Sequence, residues 1–226
     1  MFIDKSMIRK VVTIIPEATI HEARDLLSEH NIRHLPVVGE DDTLLGIITD
    51  RDIRSALPSS LLTEAEKEAQ EERVAGLRVR DIMTRNVITI SPTQTLGDAI
   101  LLMQKKKVGA FPVVDQSGKL KGIISVRDLM RAFVNVLGLN EPGALLGILV
   151  EDKVGQMKQI VDAITEEGVS FGSILVAQHW EEGKRAVFPY LLTGNIARVR
   201  RKLEHSGFTL LDPMEWSLDQ LPKRQA

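Results

Sequence analysis

The feature that most constrains this chain is an internal repeat. Displaced by 76 residues, positions 7–53 fall on 83–129 without a gap, and 18 of the 47 aligned residues are identical. The matched pairs include Thr13/Thr89, Pro16/Pro92, Thr19/Thr95, Ala23/Ala99, Pro36/Pro112, Gly46/Gly122, Arg51/Arg127 and Asp52/Asp128. Self-similarity at a fixed period is the mark of a fold assembled from repeated units. A unit of about 50 residues buries too little surface to stand alone, so the copies are expected to pack as a pseudo-twofold pair.

Each copy reads as β-α-β-β-α. A short strand (11–15, or 87–90) runs into a proline. A helix follows Thr19 or Thr95, each with an acid three residues later, Glu22 or Asp98, in the pattern of a capping box. Ile20, Ala23, Leu26 and Leu27 recur at helical spacing and are expected to face the core. Two compact apolar strands come next, 35–38 and 45–49, separated by a turn at 39–43; in the second copy they are 111–114 and 121–125 around a turn at 115–118. A last helix begins at Asp50 or Val126. The segment between the copies opens with Pro58-Ser59-Ser60 and continues rich in Glu, Lys and Ala. It is expected to form a charged connecting helix, 58–80, that Thr63 and Glu66 could cap.

The chemistry concentrates where the last strand meets the last helix. The copies read Gly46-Ile-Ile-Thr49-Asp50-Arg51-Asp52 and Gly122-Ile-Ile-Ser125-Val126-Arg127-Asp128. A hydroxyl residue with an acid three positions on has two readings. It can simply cap the helix, the acid favouring the positive end of the helix dipole. It can also serve a ligand: the helix N-terminus offers N–H groups to an anion, a carboxylate can accept both hydroxyls of a ribose, and Arg51 or Arg127 suits a phosphate.

Taken together, Ile32-Arg33-His34-Leu35-Pro36-Val37-Val38, its counterpart Val108-Gly109-Ala110-Phe111-Pro112-Val113-Val114, and the Gly-Ile-Ile-(Thr/Ser)-x-x-Asp junctions resemble the CBS domain, over roughly residues 1–135. The resemblance implies repeats at 1–57 and 81–138, with a cleft holding up to two adenosyl ligands such as AMP, ADP, ATP or S-adenosylmethionine. It implies that the acid binds ribose while the adenine packs on strand residues of the opposite repeat. Carried over by position, one pocket joins Ser125 and Asp128 to Ile15, Ile20, Ile32 and Arg33, and the other joins Thr49 and Asp52 to Ser91, Leu96, Val108 and Gly109. Arg33-His34 in the first copy becomes Gly109-Ala110 in the second, a position pair that contacts phosphates in some relatives. Unequal pockets are therefore expected. His34 also has a plainer reading, as a partly buried residue with no ligand role.

From Ala144 the pattern changes to βαββαβ: a strand at 144–150, a helix carrying Met157, Ile160, Val161 and Ile164 and ending at Gly168, strands at 169–178 and 186–193, a helix at 196–205 stopped by Gly207, and a short strand at 208–211. That order describes a ferredoxin-like sandwich, so the whole chain is expected to be an α/β (α+β) protein. The loop Val150-Glu151-Asp152-Lys153-Val154-Gly155-Gln156-Met157 resembles the ACT domain, although Val154 stands where that family usually has proline. The resemblance covers 144–213, leaves a tail at 214–226, and implies Asp152, Lys153 and Gly155 as an amino-acid site. Alternatively Gly155 only starts a helix and the domain serves dimerisation. The basic run Arg198, Arg200, Arg201 and Lys202 is expected to be a solvated face.

Composition narrows the function classes. A net charge of −2 and a pI near 6.2 argue against a broad nucleic-acid surface. With no cysteine there are no disulfides, cysteine zinc sites or thiol nucleophiles. No apolar run is long enough for a signal peptide or membrane span, so a cytoplasmic protein is expected. The five histidines, His21, His30, His34, His179 and His205, show neither metal-ligand spacing nor a nucleophile motif. The expectation is a non-catalytic regulator, a homodimer acting on an unnamed protein target, with an adenine nucleotide as regulatory ligand and no cofactor or metal. The competing readings are an enzyme and a structural dimerisation module with degenerate pockets.

Overall fold

The computed structural model describes residues 1–57 and 74–212. Most of the connector expected at 58–80, including its Thr63–Glu66 cap, and the tail at 214–226 lie outside the described residues. The chain divides into two units, Met1–Met130 and Arg131–Ala226.

In the first unit, α1 (Ile20–Glu29) precedes an antiparallel hairpin of β1 (His34–Val38) and β2 (Leu44–Thr49), and α2 (Asp50–Ala56) follows. A short α3 (Val79–Ile82) opens the second copy. It continues with α4 (Leu96–Lys106), the hairpin β3 (Ala110–Val114) and β4 (Leu120–Ser125), and α5 (Val126–Val136). Both long helices start on complete capping boxes. Thr19 Oγ1 accepts from the Glu22 amide while Glu22 accepts from the Thr19 amide, and Thr95 with Asp98 repeats the arrangement. The backbone bond, then the hydroxyl bond, holds Glu22 and Asp98 below their ordinary carboxylate range. Ile20, Ala23 and Leu27 enter the core with Leu35, Val37, Ile48 and Ile53, and Leu26 packs half-buried at its edge.

The first strand expected in each copy does not form. Residues 11–15 and 87–90 contribute one parallel bridge each, Ile14 to Val37 and Ile90 to Val113. Proline is the reason. Ile14 donates to the Pro36 carbonyl and accepts from Val38, and the next rung would need the N–H that Pro36 lacks. Pro112 stops the ladder beside Ile90 in the same way.

The two repeats exchange their leading segments, an arrangement the sequence reading did not foresee. Ile3 and Asp4 donate to the carbonyls of Gln94 and Pro92 in the second repeat, while Val79 and Arg80 donate to Ala18 and Pro16 in the first. Each member of one pair is the 76-residue counterpart of a member of the other. Ile3 and Val79 are both fully buried. Ile8 bridges Ile123 and Thr84 bridges Ile47. The hairpin glycines admit these segments: a Cβ on Gly122 would lie 2.6 Å from Met7 Sδ, and one on Gly46 would lie 2.7 Å from Met83 Sδ. Identical reciprocal contacts establish the pseudo-dyad.

In the second unit, β5 (Ala144–Leu145), β6 (Ile148–Glu151), α6 (Gln156–Thr165), β7 (Phe171–Glu181), β8 (Lys184–Leu191), α7 (Ala197–His205) and β9 (Thr209–Leu210) follow in order. The single strand expected at 144–150 is split, yet both pieces keep one register along β8, with Leu145 opposite Tyr190 and Ile148 opposite Val187. The gap falls at Pro189, whose carbonyl accepts from Leu146 and which has no N–H to return. β7 pairs with the other edge of β8, and β9 pairs with β6. All pairings are antiparallel, which is the order of a βαββαβ sandwich. Ile160, Ile164, Val199 and Leu203 press from the helices onto Ile148, Val187 and Leu191 of the sheet.

Candidate functional site

Both strand-to-helix junctions are built alike. Thr49 donates to Asp52 Oδ2 from its amide at 2.8 Å and its hydroxyl at 2.7 Å, and its Oγ1 accepts from the Asp52 amide at 3.3 Å. Ser125 and Asp128 repeat this at 2.9, 2.6 and 3.3 Å. The capping expectation is thus met in full. Each cap runs through Oδ2 of its acid. Burial separates the copies: Asp128 is 3% exposed, the buried polar or charged residue of the described core, whereas Asp52 is half-buried.

The hairpin register places the neighbours. His34 lies opposite Thr49, and Ala110 opposite Ser125. The carbonyl of Arg33 accepts from the Asp50 amide, and that of Gly109 from Val126. Arg33, Arg51 and Arg127 are exposed, as a phosphate-binding cation must be. Asp50 is engaged by Arg54 at 2.9 Å, while its counterpart Val126 carries no charge, so the local fields differ.

The half-buried His34 ring reaches the opposite repeat. A Cβ on Gly109 would lie 3.2 Å from both its Cε1 and its Nε2. Thr49, Asp52, His34 and Gly109 are therefore brought to one place. Burial holds the His34 ring below its ordinary pKa, Asp50 and Asp52 oppose this, and Arg33 adds to it.

The remaining positions fall into two groups. Ile15 is 56% exposed beside the buried Ile14, an apolar surface of the kind a base can stack on. Ile32 and Val108 are half-buried, and Ser91 turns its hydroxyl to Thr93 at 2.9 Å. Ile20 and Leu96, by contrast, are drawn into the cores at 0% and 5% exposure. As first residues of capped helices they point inward and present almost no side-chain surface.

In the second unit Asp152, Lys153 and Gly155 share one exposed loop. Asp152 pairs with Arg185 and Lys153 with Glu151. Gly155 has φ +98° at the N-cap of α6, a backbone conformation that alone explains a glycine there. On α7, Arg198 and Lys202 pair with Glu167 and Glu166 at 2.9 and 2.8 Å, and Arg200 and Arg201 are exposed, so the basic run is a solvated, ion-paired face. Among the described residues no group of three His, Cys, Asp or Glu could hold a metal, and no helix is long and apolar enough to cross a membrane.

The model of the CBS domain matches residues 3–59 and 79–135, two segments that begin where the exchanged arms begin. The chain belongs to the CBS domain family. A CBS domain-containing protein of Dictyostelium discoideum is 35% identical over 137 residues, covering 61% of this chain and 94% of that one. Among solved structures, CBSX2 of Arabidopsis thaliana in complex with AMP aligns with a TM-score of 0.50 at 27% identity, over 59% of this chain and 96% of that one. A Vibrio cholerae protein provisionally assigned to acetoin utilization (AcuB) aligns with a TM-score of 0.52 at 28% identity, over 63% of this chain and 98% of that one. The inosine-5'-monophosphate dehydrogenase of Aquifex aeolicus is 31% identical over 206 residues, but this chain spans only 39% of its length. Nearly all of the second unit lies outside both CBS segments.

Proposed function

We propose that this CBS pair is a non-catalytic regulatory module that senses an adenosyl ligand (AMP, ADP, ATP or S-adenosylmethionine) in the cleft between its repeats. The observation that carries this reading is the doubled junction: a hydroxyl and a carboxylate at a helix N-terminus, repeated about a pseudo-dyad. The AMP complex of CBSX2 supports the same ligand class. A ligand bridging both repeats acts by shifting their relative orientation. The output is a change in a homodimer or a protein partner, in a cytoplasmic setting and with acetoin metabolism as the context to examine first. The βαββαβ unit acts as an ACT-like module for amino-acid sensing or dimerisation, with Asp152, Lys153 and Gly155 at its candidate site.

A second reading, a structural dimerisation module with degenerate pockets, draws on one observation: both capping boxes are complete without a ligand. Calorimetry with AMP, ADP, ATP and S-adenosylmethionine separates the two. The sensor reading expects binding that at least one of Asp128→Ala and Asp52→Ala weakens tenfold or more while the fold survives. Unchanged affinity in both variants refutes the site, and no heat or thermal shift with any ligand selects the structural reading.

A further inference from the structure

We infer that the His34 imidazole is a gate on the Thr49–Asp52 pocket, so that the Ser125–Asp128 pocket fills first and the other fills only when the ring swings aside. The inference rests on the adenosyl-ligand reading above and assigns an order to its two pockets.

Three observations lead there. The register puts His34 beside the Thr49 junction and Ala110 beside the Ser125 junction. The same place in the fold therefore carries an imidazole in one pocket and a methyl group in the other. The imidazole also spans the cleft, because at 3.2 Å from the Cβ position of Gly109 it lies against the backbone of the opposite repeat. An adenosyl group held between the Thr49–Asp52 junction and Gly109 would have to share that space with the ring. Finally, Gly109 is not among the glycines with positive φ. Backbone conformation does not demand a glycine there, while a Cβ at 109 would meet the ring at 3.2 Å and oblige it to shift by a few tenths of an ångström.

The pseudo-dyad turns the same contact into a prediction for the other pocket. It maps His34 onto Ala110 and Gly109 onto Arg33, so the Ser125–Asp128 pocket is flanked by a methyl group and a permanently charged guanidinium on an exposed residue. No ring stands at that junction, whose acid Asp128 is itself buried, and the exposed Arg33 offers a phosphate a fixed cation. Burial holds the His34 ring below its ordinary pKa against the pull of Asp50 and Asp52. The division between Arg33 and His34 thus gives one standing site and one conditional site. A conditional site of this kind lowers the apparent affinity by the fraction of molecules with the ring displaced.

Titration calorimetry of the full chain with AMP tests the order. The wild type is expected to take one AMP per chain, and His34→Ala two. His34→Cys supplies a second readout because the chain has no cysteine of its own: it is expected to take two AMP, and maleimide labelling of its single thiol to slow at the AMP concentration that fills the second site. Thermal melts confirm that the variants are folded. Two AMP per wild-type chain, or one per chain in both variants, overturns the gate while leaving the Asp128 site standing. No AMP binding by wild type or either variant refutes the adenosyl reading and the gate with it.

Discussion

Replacing each junction carboxylate by alanine separates the two repeats energetically. Asp52 and Asp128 accept the same pair of bonds through Oδ2, from the amide and hydroxyl of Thr49 or Ser125, at nearly equal distances. The substitution removes the bonds the carboxylate accepts and leaves the hydroxyl's bond from the backbone amide, so this loss costs the same in both, about 1 kcal/mol. The difference comes from burial. Asp52 is half-buried, and water can take over the stranded donors. Asp128 is 3% exposed, so its removal leaves donors with no replacement, at a further cost of about 1–3 kcal/mol. Asp52→Ala is expected to lose about 1 kcal/mol and Asp128→Ala about 2–4 kcal/mol on the same reasoning. The assay is urea unfolding followed by far-ultraviolet circular dichroism. Neither tryptophan, Trp180 or Trp216, falls within Met1–Met130. The unfolding of the first unit is read as its own transition, since a chain of two units need not unfold in one step. Equal losses in the two variants, or a larger loss in Asp52→Ala, would refute the role given to burial.

Two further perturbations follow from the same geometry. Gly122→Ala puts a methyl group 2.6 Å from Met7 Sδ and 2.8 Å from the Ile8 carbonyl, and Gly46→Ala meets Met83 Sδ and the Thr84 carbonyl at 2.7 and 3.0 Å. Each should cost about 1–3 kcal/mol by overpacking. Met7→Ala should rescue Gly122→Ala only in part, because the carbonyl stays; urea midpoints within error of wild type would show that the exchanged arms are not packed as described. His34 supplies a pH dependence. Its folded pKa lies below the ordinary 6.5, so the unfolded chain takes up the proton first. Stability is full above pH 6.5 and falls as pH drops through the folded pKa. Melting temperatures compared between pH 7.5 and 5.5 should fall more for wild type than for His34→Gln, and equal declines would count against the burial of the ring.

Much of the first unit was legible because duplication gave every motif twice. The capping pairs Thr19–Glu22, Thr95–Asp98, Thr49–Asp52 and Ser125–Asp128 are local, with donor and acceptor three residues apart, so the alphabet alone announces them. The strands read at 11–15 and 87–90 failed for a reason the same alphabet contained: Pro36 and Pro112 deny their partners a rung. Reading a strand in isolation does not reveal which edge it must share. Ile20 and Leu96 were placed among ligand-facing positions by resemblance, while their seats just after an N-cap turn them inward. The identity of Met7 with Met83 was visible, but nothing local said that each would cross to the other repeat.

By itself the sequence determined the duplication, the helix starts, the hydroxyl–acid junctions and the βαββαβ order of the second unit, since each depends on spacing within a few residues or on a repeat. Only the tertiary structure decided which repeat receives which leading arm, how deeply Asp128 and Asp52 differ in burial, and that His34 lies on Gly109 across the cleft. Those features depend on contacts between residues far apart in the chain, from Gly46 and Met83 at 37 positions to Met7 and Gly122 at 115. A dyad that is nearly but not fully symmetric expresses its differences only where the two copies touch.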